Sequence, residues 1–284
     1  MAFKYNILTL LLLAISLMCY GCAKNVDDEG FVVRYDVAYN DLSVMDIYYY
    51  KNGMSERKYP VIIFAHGGGW DGGEKSQWSI SHAITAFEKG YISVSVGYSL
   101  QKHPSGMEDF ADAIRWVYDN IETYGGDKNN LFLCGMSSGA HMVSLIATDN
   151  KYLKNQGLSL KDIRAVCSYD AGPYIYSADL LSGASSERFF VNNFGSDRAK
   201  WPQVVPYSFI SKGNNIPGFV IVAESDVYER IVPNKAFEKK LSDNGIRVKG
   251  IYVSGYNHNS IFYEAFFSEE IKNGIFNHFD TFIK

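Results

Sequence analysis

Two rhythms of apolar and polar positions follow one another along the chain. In 31–38 and 43–50, β-branched and aromatic residues alternate or cluster, and Asn40-Asp41 separates the two runs; an antiparallel strand pair is predicted. From Pro60 onward, short apolar runs, Gly-rich loops and amphipathic stretches repeat in turn. Strands are expected at 61–65, 91–96, 131–134, 165–169, 219–223 and 248–254. Helices are expected at 76–89, 107–124, 138–148 and 233–244, with a terminal helix from about Ile261. In the second helix Phe110, Ala113, Ile114, Val117 and Ile121 recur at three- and four-residue spacing and make one apolar face, which Gly125-Gly126 ends. Strands alternating with helices imply right-handed crossovers and an α/β fold with a doubly wound, mostly parallel sheet. Ligand sites in such sheets lie at the carboxyl ends of the strands. Residues 172–216 break the rhythm: Pro, Gly and Ser are mixed with Tyr174, Tyr176, Phe189, Phe190, Phe194, Trp201, Tyr207 and Phe209. This stretch reads as a short irregular insertion over the sheet.

Composition adds scale. A chain of 284 residues, 47% hydrophobic and 20% charged, can bury a large core in one α/β domain, here 31–284, without disulfide staples. A net charge of −4 and the lack of any Lys/Arg run exclude nucleic acid as the expected partner. Residues 1–21 read as a secretory leader, with Lys4 as the charged region and 7–18 as an apolar stretch well short of the ~20 residues of a membrane span. Its end, Cys19-Tyr20-Gly21-Cys22, resembles the lipobox of bacterial lipoproteins and implies acylation at Cys22. Cleavage after Ala23 is the other reading. On the first, residues 22–30 are a tether, the protein is exported, and its one membrane contact is a lipid anchor in the cell envelope, with Ala23 disfavouring inner-membrane retention. Cys134 and Cys167 fall in apolar runs and are expected as free core thiols. Once the leader is removed, no CxxC, HExxH or His pair at ligand spacing remains, so no metal is expected.

Two glycine motifs carry the chemistry. Gly135-Met136-Ser137-Ser138-Gly139 follows the strand LFLC directly and opens a helix. A strand-to-helix turn this sharp crowds its flanks, so Gly is needed on both sides, and it lifts Ser137 Oγ above the sheet as a nucleophile. His66-Gly67-Gly68-Gly69-Trp70 follows the strand VIIFA. Acyl transfer needs donors aimed at a developing oxyanion, and the backbone N–H groups of Gly68, Gly69 and Ser138 are the candidates, each typically worth ~3 kcal/mol of barrier. His66 is expected to pin this loop, and His141 to be a packing residue.

HGGGW, GYSL (97–100), DFADAIRWVYDN (109–120), GMSSGAH and IPGFVIVAESD (216–226) resemble, in order and spacing, the α/β-hydrolase esterases. The similarity runs from about Leu42 to the C-terminus. It is strongest to the carboxylesterase group with acetylxylan and feruloyl esterases, and extends to kynurenine formamidases and hormone-sensitive-lipase-like esterases. The resemblance implies the α/β-hydrolase fold, no cofactor, and a Ser–Asp/Glu–His triad in that chain order. By family position the acid is Asp226, after the strand GFVIVA, with Glu229 and Glu224 as further candidates. The histidine is His258, in the loop between the last strand and the terminal helix. Imidazole must be neutral to take the serine proton, so activity should rise as His258 loses its own. The expected substrate is a small-molecule or carbohydrate ester, with an acetyl or hydroxycinnamoyl acyl group, and Trp70 and Tyr174 are the candidate pocket aromatics. The insertion's aromatics alternatively form a small core of their own. An amide hydrolase like the formamidases, and a non-catalytic glycan-binding lipoprotein, are the competing functions; oligomeric state is left open.

Overall fold

A computed structural model describes residues 30–51, 57–172, 175 and 187–284. The leader, Cys22 and most of the tether, and Tyr174 and Tyr176 in the insertion, lie outside the described residues.

Eight strands form one sheet in the order β1-β2-β4-β3-β5-β6-β7-β8. They are β1 (Phe31–Ala38), β2 (Val44–Tyr50), β3 (Tyr59–Ala65), β4 (Ile92–Val96), β5 (Gly126–Met136), β6 (Ile163–Tyr169), β7 (Gly218–Glu224) and β8 (Val248–Val253). The expected hairpin is the antiparallel β1–β2 edge, β2 also pairs antiparallel with β4, and every later pairing is parallel. Period-two alternation sorts the core into two layers. In β3, Val61, Ile63 and Ala65 face a layer containing Phe110, Ile114 and Val143, while Ile62 and Phe64 face one containing Ala83, Phe262 and Phe276. The helices divide accordingly. α2 (Ser105–Asn120), α3 (Ser138–Thr148), the short α4 (Lys151–Asn155) and α6 (Tyr228–Asp243) supply the first layer. α1 (Ile80–Glu88), α7 (Ser260–Tyr263) and α8 (Glu269–Asp280) supply the second. This is the α/β-hydrolase fold.

Boundaries differ from expectation where capping decides them. Ser79 accepts from the His82 N–H and starts α1 after a separate 3₁₀ turn, Lys75–Gln77. The expected terminal helix is divided because Ser268 caps α8 afresh, its hydroxyl accepting from Ile271 N–H. α6 begins five residues before Pro233, which sits in the second turn and forgoes one backbone hydrogen bond there. β5 is far longer than 131–134, because Tyr59 N–H reaches back to Gly125 and pairing continues through Gly126. Within the insertion, α5 (Glu187–Phe194) and two 3₁₀ turns, Arg198–Gln203 and Pro206–Phe209, carry a small aromatic core. Phe190 and Trp201 are buried 5.1 Å apart between centroids, and Phe194 packs on Trp70 at 5.2 Å.

Candidate active site

The carboxyl ends of β5, β6 and β8 converge on one point. At the turn from β5 to α3, Ser137 takes φ +56°, ψ −120°, a conformation costly for any residue with a Cβ. The flanking glycines are compulsory: a Cβ on Gly135 would stand 2.2 Å from Gly139 O, and one on Gly139 would stand 2.1 Å from Ala65 O. Sheet register then fixes the serine, since Met136 pairs with Tyr169 and the Ser137 N–H donates to Tyr169 O at 2.9 Å.

His258, in the loop between β8 and α7, places Nε2 2.9 Å from Ser137 Oγ and donates from Nδ1 to a carboxylate at 2.5 Å. That carboxylate is Asp170. It is not Asp226, nor either of the alternatives Glu229 and Glu224. Asp226 is exposed and its Oδ2 accepts from Gly255 N–H at 2.7 Å, tying the turn after β7 to the histidine loop. The reason lies in strand order. β6 sits directly beside β5, the strand that ends at Ser137, with β7 one position further out. Asp170, the first residue past β6, turns under the imidazole with φ +51° and is wholly buried. The end of β7 holds this acid instead of supplying one: Val222 O accepts from Asp170 N–H at 2.6 Å, and Glu224 N–H donates to Asp170 Oδ1 at 3.1 Å. From α6, Arg230 Nη1 donates to the Asp170 carbonyl at 2.9 Å, and Arg230 Nε lies 3.8 Å from both the Asp170 and the Glu224 carboxylates. Burial, then the neighbouring Asp170 charge, pushes the Glu224 carboxyl above its ordinary value. The sequence did hold a signal for Asp170, an acid directly after the apolar strand AVCSY and before Ala171-Gly172. Family position drew attention to β7 instead.

A family model, BD-FAE, matches residues 45–241. The chain belongs to the BD-FAE family. It is also similar to the esterase LipQ of Mycobacterium tuberculosis, 28% identical over 72% of this chain and 50% of LipQ. Kynurenine formamidase of Danio rerio is 26% identical over 80% of this chain and 74% of that protein. Among solved structures, a truncated carbohydrate esterase from gut microbiota superposes with a TM-score of 0.74 at 18% identity, covering 91% of this chain and 99% of that one. The match takes in only half of LipQ's own length and 32% of a second esterase of that organism, LipC.

In this BD-FAE chain the HGGGW loop closes the other side of Ser137. His66 is buried, its Nδ1 donates to Gly67 O at 2.8 Å, and its ring stacks on Tyr98 at 4.0 Å. Tyr98 OH donates to His66 O, and Gln77 Oε1 accepts from Gly67 N–H at 2.5 Å, so the loop is fixed from three directions. Burial lowers the His66 pKa and keeps the ring neutral. A Cβ on Gly68 would lie 2.2 Å from Gly72 O, which is why the loop folds tightly only with glycine there. Trp70 is buried, and its indole N–H donates to His141 Nδ1 at 3.2 Å while His141 Nε2 donates to Val204 O at 2.7 Å. The expected pocket aromatic is therefore a wall whose polar edge is turned inward, and His141 packs behind it.

A cavity of about 540 Å³ opens over the serine, lined by Gly67, Gly68, Gly69, Trp70, Ser137, Ser138 and His258, with Gln77, Met136, Arg188, Phe189, Arg230 and Asn259 completing the wall. The three expected oxyanion donors thus share one cavity with the hydroxyl and the imidazole. Such an arrangement can pass the serine proton to His258 while the glycine amides face the same space. Among the described residues, no group of three or more His, Cys, Asp or Glu could hold a metal ion, and no helix is long and apolar enough to cross a membrane. Cys134 and Cys167, paired in register on β5 and β6, are free and buried.

Proposed function

We propose that the protein is a serine carboxylesterase in which Ser137 attacks an ester carbonyl, His258 moves the proton and Asp170 orients the imidazole. The observation that carries this reading is the bridge of His258 between Ser137 Oγ and the buried Asp170. Nδ1–H held by Asp170 leaves Nε2 basic toward the hydroxyl, and the carboxylate offsets the imidazolium formed in the transition state. The amides of Gly68, Gly69 and Ser138 take the oxyanion. His258 protonates the departing alcohol, then activates water to release the acyl group.

Two relatives bear on the substrate class. A carbohydrate esterase among the superposing structures supports a carbohydrate ester, for which the sequence resemblance suggests an acetyl or hydroxycinnamoyl acyl group. The similarity to kynurenine formamidase over most of its length favours one second reading, a formyl-amide hydrolase. Export and lipid anchoring at Cys22 would put the first activity at the cell envelope. Replacing Ser137 with Ala should lower turnover of p-nitrophenyl acetate more than about a thousandfold and abolish fluorophosphonate labelling. Undiminished turnover would refute the mechanism. Rates on methyl ferulate, acetylated xylo-oligosaccharide and N-formylkynurenine then separate the two substrate readings.

A further inference from the structure

The charged groups around the cavity are lopsided. Among its described lining residues there are two arginines, Arg188 and Arg230, and no Asp or Glu. Arg230 faces two carboxylates, Asp170 and Glu224, each 3.8 Å from its Nε, so its charge is opposed from behind. Arg188 is different. It is exposed on α5, and no carboxylate pairs with it among the described residues; its neighbour Glu187 is taken up by Arg198 at 2.6 Å. The Arg188 guanidinium stacks over the Phe189 ring at 4.5 Å, and that ring abuts the oxyanion loop closely enough that a Cβ on Gly69 would fall 2.9 Å from it. Stacking occupies the flat face of a guanidinium and leaves its N–H edge free for a planar anion.

Building on the serine-esterase reading above, we propose that the cavity selects esters bearing a carboxylate a few atoms from the scissile carbonyl, and that Arg188 is the residue that reads it. A carboxylate matches the fork of guanidinium donors in shape and charge, and no Asp or Glu is among the described residues that line the cavity, although the exposed Asp71 lies close by, its Oδ1 3.5 Å from where a Cβ on Gly69 would stand. The charge can enter on the acyl side, as in a dicarboxylic half-ester, or on the alcohol side, as in a uronate acylated on a hydroxyl with its carboxylate free. The chemistry of recognition is the same.

Matched ester pairs test this on the full chain. On the acyl side, mono-p-nitrophenyl succinate and glutarate are compared with p-nitrophenyl butyrate; on the alcohol side, the acetylated methyl glycoside of galacturonic acid, its carboxylate free, is compared with acetylated methyl galactoside. The readout is the ratio of kcat/KM for the anionic ester to its neutral partner. In at least one pair that ratio should fall about fivefold in Arg188→Ala and tenfold or more in Arg188→Glu, with Arg188→Lys in between, and should shrink in high salt. The side that responds identifies where the carboxylate sits. A ratio unmoved by all three variants in both pairs overturns the proposal while leaving the esterase reading intact. Failure to hydrolyse any ester, charged or neutral, overturns both.

Discussion

At the residue scale, the informative position is Asp170. The GxSxG motif placed Ser137 and family position placed His258, and the structure brings the two to 2.9 Å. The acid was misread because a carboxylate after β7 and one after β6 look alike in sequence; what separates them is that β6 adjoins β5, a fact of sheet order that no local pattern encodes. Asp170→Asn would keep the shape but remove the charge, and would leave Nδ1 facing an amide. Turnover should then fall ~10³–10⁴-fold. Asp226→Asn retains an oxygen to accept from Gly255 N–H, so the same assay should change by less than about threefold. If the two variants lose activity in the opposite order, the assignment of the acid is wrong.

Among the elements, β5 and α3 show how backbone crowding fixes chemistry. The GxSxG glycines were legible because their need is local, a turn too tight for a Cβ. The partner that sets the limit for Gly139 is distant: Ala65 O at the end of β3. Gly139→Ala would force α3 away from β3 and Ser137 out of line. We expect a loss of more than about 3 kcal/mol, seen as a large fall in the denaturation midpoint or in soluble yield. The boundaries of α1 and α8 were less legible. Ser79 and Ser268 are caps that divide otherwise continuous apolar patterns, and hydrophobic periodicity does not register a cap inside a run.

Across the whole molecule, each face of the sheet buries a neutral histidine. His141, in the layer beneath the insertion, accepts from Trp70 and donates to Val204, and burial drives its pKa down to about 3. His82, in the opposite layer, lies between Ser79 Oγ and Phe262 O, and burial drives its pKa down to about 4. Both values lie below the ordinary 6.5, so the unfolded chain binds these protons first. The stability these rings provide is complete above about pH 6.5 and is lost as pH falls from there, toward about 4 for His82 and about 3 for His141, at up to about 1.4 kcal/mol per pH unit for each ring. Urea midpoints measured from pH 7 to pH 5 should decline, and His82→Gln should flatten the decline relative to its own value at pH 7. An unchanged slope would mean that this ring takes up a proton without cost. The alternating strand–helix order was readable from periodicity. The insertion was not, because its aromatics obey no period and pack around Trp70 and His141 from another part of the chain.

With Asp170, past the interior strand β6, holding the His258 ring, the turn from Ser225 to Tyr228 makes no hydrogen bond to that imidazole. Its ends remain anchored, by Asp226 to the histidine loop and by Arg230 to the Asp170 carbonyl, while Val227 and Tyr228 stand in solvent. An engineer could therefore graft a binding segment between these anchors, at the lip of the serine's end of the sheet, and leave the hydrogen bonds among Ser137, His258 and Asp170 where they are.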